Sequence, residues 1–100
     1  MDDLHEEGLR FRDKTEKARI DFIRTDLEAL FTFASIVESA YTSGHREHAE
    51  RTLAAAENGY STLLRLFTQA RGLTAEVERE LESKLAQLRE RLDGLRRPGR

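Results

Sequence analysis

The tightest constraint on this chain is the short stretch Thr42-Ser43-Gly44, which separates two long runs of helically spaced apolar residues. Before it, Ile20, Ile23, Leu27, Leu30, Phe31, Ala34, Val37 and Tyr41 recur every three or four positions. That spacing lines one side of an α-helix. After it, Ala49, Leu53, Ala56, Tyr60, Leu63, Leu64 and Phe67 do the same. Glycine takes the left-handed conformation that ends a helix without steric cost. Alanines just beyond such a corner let two helix backbones approach closely. The pattern predicts an antiparallel hairpin of helices over about 13–43 and 45–70. A capping box at Thr25 and Glu28 offers a later start for the first helix, but the stripe through Ile20 and Ile23 favours the earlier one. Leu9/Phe11 and Ile20/Phe22 alternate with period two, yet no Asn-Gly or Asp-Gly turn joins them as a β-hairpin.

Asn58-Gly59 interrupts the second run in composition but not in phase, so the spacing predicts one continuous helix. Glycine there costs about 1 kcal/mol relative to alanine, which a close helix contact offsets. Gly72 ends that helix and Thr74 caps a third over about 75–93, built on Val77, Leu81, Leu85, Leu88 and Leu92. Its apolar seam is narrow and densely flanked by charge, as on a coiled-coil face. Gly94 marks its expected end. The fold class is therefore all-α, an antiparallel three-helix bundle over residues 13–94. A disordered acidic segment is expected before it (1–12) and a flexible basic tail after it (95–100).

With 100 residues, a net charge of −2 and no cysteine, the chain has room for one core, no global basic field and no thiolate chemistry. Its acidic start does not read as a secretory signal, and no apolar run reaches the ~20 residues that span a bilayer. These features point to a cytoplasmic protein without membrane contact. Catalytic signals are lacking: there is no phosphate loop, nucleophile elbow or HExxH motif. His45 and His48 lie three apart at a loop–helix junction without the further ligands a metal site needs, and read as solvated. Asp26 falls between two apolar arcs, where a carboxylate usually meets an arginine. No catalytic residue, metal, cofactor or small-molecule substrate is expected.

The first helix carries a second apolar set, Phe22, Ala29, Phe33, Ile36 and Ala40, centred roughly 120° from its main stripe at 100° per residue. Phe11 falls in the same direction if the helix reaches that far. Either the third helix covers this face or it is an association surface. Phe22, Phe33 and Ile36 are the candidate contacts for self-association, with a homodimer the commonest form.

Gly44, Ala49, Leu53 and Ala56 form a pattern that resembles the hairpins of tetratricopeptide repeats and of microtubule-interacting and trafficking domains. Ser61 stands where the tetratricopeptide pattern has proline, and nothing repeats with the period of about 34 residues. The trafficking-domain likeness fits the three-helix organisation better, although Arg46 replaces its usual aromatic. This resemblance implies a peptide-binding bundle with a partner helix in a groove beside helix three, around Leu66, Leu85 and Leu92. The expected function is a non-enzymatic protein–protein interaction or assembly module. The alternative is nucleic-acid association through Arg96, Arg97 and Arg100.

Overall fold

The computed structural model describes the backbone of residues 2–96 and the side chains of residues 16–96. It is an antiparallel three-helix bundle: α1 (Asp2–Thr42), α2 (Arg46–Gln69) and α3 (Ala75–Arg96), each touching the other two. At the first corner Gly44 has φ of 81°. Its N–H donates to Tyr41 O at 3.1 Å, and His45 N–H donates to Ala40 O at 2.8 Å. This pair of bonds is the Schellman arrangement, which satisfies carbonyls that the end of a helix leaves free. At the second corner Gly72 has φ of 71°, and Thr74 Oγ1 accepts the Val77 N–H at 3.1 Å as the cap of α3.

The core joins Ile23, Leu27, Leu30, Ala34 and Val37 of α1, Ala49, Leu53, Ala56 and Leu63 of α2, and a row of leucines on α3. Gly59 lies inside α2 because a side chain of α1 occupies the space beside it. A Cβ built there would sit 2.7 Å from Leu30 Cδ2. The missing side chain is thus the socket for Leu30, and the helix passes Asn58-Gly59 without a break.

Two boundaries differ from the sequence-based expectation. Helix α1 starts at Asp2 rather than near Asp13, so its helical backbone runs through much of the segment expected to be disordered. No proline interrupts that stretch, and Gly8 alone costs too little to stop a helix. The side chains of residues 1–15 lie outside the described residues. Helix α3 passes through Gly94 to Arg96. The reason is Leu95, which is 4% exposed and belongs to the core. Leu81, Leu85, Leu88, Leu92 and Leu95 alternate steps of four and three, the heptad spacing of a continuous seam. Burying the last leucine outweighs the modest cost of one helical glycine. The rest of the expected tail, residues 97–100, lies outside the described residues.

The Leu30–Gly59 contact yields a graded prediction. Gly59→Ala gains helix propensity but must displace the end of Leu30, so its unfolding free energy should change by less than about 1 kcal/mol. Gly59→Leu cannot be accommodated by that shift and should destabilise by about 2 kcal/mol or more, read by urea denaturation.

Candidate functional site

The position of the site follows from what covers α1. On one flank Arg24 of α1 donates to both carboxylate oxygens of Glu80 of α3, at 3.0 and 2.8 Å. Further along, Arg91 of α3 donates to Ser35 Oγ at 3.1 Å and to Glu38 Oε2 at 3.2 Å. The α3 helix is therefore fastened along the side of α1 that presents Arg24, Ser35 and Glu38. The opposite flank presents the second apolar set beside α2.

That face is open. Phe22 is 49% exposed, Ile36 40% and Phe33 38%, while Ala29 is also exposed. The possibility that α3 covers these residues is excluded by its position across the helix. Ala40 differs from the others: it is buried under the first corner, where its carbonyl receives the His45 N–H. Phe33 and Ile36 share a shallow hollow with His48, Arg51, Thr52 and Ala55 of α2. A neighbouring hollow joins Ile36 and His48 to Ser39, Ala40, Ser43 and His45. The apolar face of α1 thus continues onto the outer side of α2.

The leucines expected to line a groove between α2 and α3 face inward instead. Leu85 and Leu92 are core residues, 3% and 0% exposed, and Leu66 is half-buried against the same core. The heptad seam of α3 is consumed by packing on α1 and α2, which leaves no leucine row to hold a partner helix. Above it lies a polar latch instead. Arg89 donates to both oxygens of Glu57, at 2.9 and 2.7 Å, and its guanidinium stands 4.8 Å from the Tyr60 ring centroid. Arg96 adds a bond to Glu57 Oε1 at 3.0 Å.

This latch also bears on the basic C-terminus. Arg96 is engaged with a carboxylate rather than presented as a free cation, while Arg97 and Arg100 lie outside the described residues. His45 and His48 are both exposed. Among the described residues, no group of three or more His, Asp or Glu is placed to hold a metal ion, and no polar or charged residue is fully buried. Asp26 is half-buried. Among the described residues, no helix is long and apolar enough to cross a membrane.

Compared with known proteins, the chain matches no family model, no curated protein and no solved structure. The functional reading therefore rests on the geometry of the chain itself.

The Glu57 latch predicts a pH dependence. The Arg89 bonds hold the Glu57 carboxyl below its ordinary value of 4.5, outweighing the opposing effect of burial, and Arg96 adds a lesser pull in the same direction. A carboxyl depressed on folding contributes stability above its unfolded value, and that contribution disappears as pH falls through the folded one. Glu57→Gln should therefore be less stable than the parent at pH 7, with the gap narrowing progressively below about pH 4.5. Urea denaturation at neutral and acid pH measures this, and a gap independent of pH would refute the latch.

Proposed function

We propose that this chain is a non-enzymatic helical interaction module that self-associates through the outer face of α1. The observation that carries this reading is the exposure of Phe22, Phe33 and Ile36 on one side of one helix, continuous with Ala55 of α2. Single exposed apolar residues are ordinary on a protein surface, but a contiguous patch marks an association surface. Thr25 and Thr32 border the face on one side, where the Thr32 hydroxyl donates to Glu28 O at 3.1 Å, and the half-buried Asp26 with His48 and Arg51 of α2 borders it on the other. A cysteine-free chain without a membrane-crossing helix among the described residues is in keeping with a cytoplasmic setting. Nucleic-acid association draws no support from Arg96, whose guanidinium is already paired with Glu57.

Sedimentation equilibrium tests the reading. The parent should be a dimer at concentrations of ~10–100 μM, the range of modest protein–protein affinities. Phe22→Ser combined with Phe33→Ser should be monomeric with unchanged far-UV circular dichroism, because both side chains lie outside the core. A parent that stays monomeric at millimolar concentration would refute self-association.

A further inference from the structure

The residues of this face follow a period of their own. Phenylalanine recurs at 11, 22 and 33 and alanine at 18, 29 and 40, two series of 11-residue spacing. Eleven residues make three helical turns plus about 20°, so the two series merge into one nearly straight row along α1. Large and small side chains alternate along it: Phe11, Ala18, Phe22, Ala29, Phe33, Ala40. Phe22, Ala29 and Phe33 are exposed, as is Ala18. Ala40 forms part of the hollow beside Ile36 and His48.

Such a row is complementary to its own reverse. Laid antiparallel on a copy of itself, Phe22 meets Ala29, Phe33 meets Ala18, and position 11 meets position 40. The residue numbers of every such pair sum to 51, so a single two-fold axis between residues 25 and 26 satisfies them all. The Phe22 and Phe33 rings then enter the gaps over Ala29 and Ala18 of the other helix, the knob-and-hole relation of packed helices. A parallel pairing in register would set phenylalanine against phenylalanine and alanine against alanine, leaving clashes beside voids.

The length of α1 supports the same arrangement. Arg19 Nη1 lies 3.5 Å from Gln69 O at the end of α2, and Arg24 pairs with Glu80 in the second turn of α3. Both neighbours therefore reach only to about the level of residue 19, while the α1 backbone begins at Asp2. The overhang is about 25 Å at 1.5 Å per residue. The two-fold axis near residue 25 lays residues 9–18 of it beside residues 33–42 of the other copy, the last turns of its α1, where Phe33, Ile36 and the hollow at Ala40 are open.

Resting on the reading of this face as an association surface, we infer that its partner is a second copy of the chain, docked antiparallel along α1 about a two-fold axis between Thr25 and Asp26.

The size alternation can be tested by exchanging it. Phe22→Ala and Ala29→Phe should each weaken the dimer about 10-fold or more in sedimentation, one by opening a void and the other by a ring-on-ring clash. The double variant restores a ring facing an alanine, and its affinity should return to within about threefold of the parent. Orientation is read by disulfide formation, for which the cysteine-free chain is suited. Thr25→Cys lies beside the axis on a flank that meets itself in the antiparallel dimer, and should cross-link. Ala29→Cys should not, because its two copies are offset by about 10 Å along the helices. A dimer in which Ala29→Cys cross-links and Thr25→Cys does not would overturn the antiparallel register while leaving self-association intact. So would a double variant as weak as its parents. A parent chain monomeric at millimolar concentration overturns both.

Discussion

Two helices cannot enclose a third that is wider in apolar character and longer than they are, and this mismatch governs the molecule. Helix α1 has 41 residues against 24 and 22 in its neighbours. Its apolar positions also occupy two directions rather than one. The hairpin partner takes the main stripe and α3 takes one flank. Among the described residues, the other flank is left without intramolecular cover. Everything distinctive about the surface follows from this division.

The two contacts that α1 does make are of different kinds. Against α2 they depend on small residues: Ala34, Ala49 and Ala56 are fully buried, and Gly59 receives Leu30. Close backbone approach gives dispersion contact and permits little substitution. Against α3 a leucine seam is bordered by ion pairs, Arg24–Glu80 and Arg91–Glu38, with Arg89–Glu57 on the α2 side. Exposed pairs contribute little stability individually, but they set the rotational position of α3. Turning α3 toward the Phe22–Phe33 side would break Arg24 and Arg91 contacts together. The polar latches therefore help to keep the outer face open.

Much of this was legible in the sequence because it depends on local chemistry. Gly44 and Thr74 announced the corners and the cap, and the unbroken phase through Asn58-Gly59 announced a continuous α2. The exposed set Phe22, Phe33 and Ile36 was visible from helical spacing alone. Which neighbour would leave that set open was not, since it depends on where α3 settles around α1. The inward position of Leu85 and Leu92 was hidden for a related reason. Leu85 and Leu92 have the same spacing whether they face a core or a partner, and burial is a property of the assembled bundle. Leu95 was readable, three residues beyond Leu92 on an established seam. Gly94 obscured it, because glycine is a stop signal only when nothing beyond it gains from burial. The alternation of Phe and Ala on α1 was likewise in plain view, but it acquires meaning only once the face is known to be open.

The energetics of that face set the character of the proposed association. Phe22, Phe33 and Ile36 are already partly covered, so completing their burial is worth about 1 kcal/mol each. The two-fold axis counts every residue twice, which brings the total to roughly 6 kcal/mol. Loss of rotational and translational freedom costs an estimated 4–15 kcal/mol, so these six side chains alone do not hold a tight dimer. In the proposed dimer the Phe–Ala fit along Ala18, Phe22, Ala29 and Phe33 must add the close packing that bare area does not supply. An association built this way is reversible and steep in its dependence on register. Slipping one copy by a turn exchanges every ring-over-alanine contact for a mismatch, so the same feature that limits affinity confers specificity for one orientation.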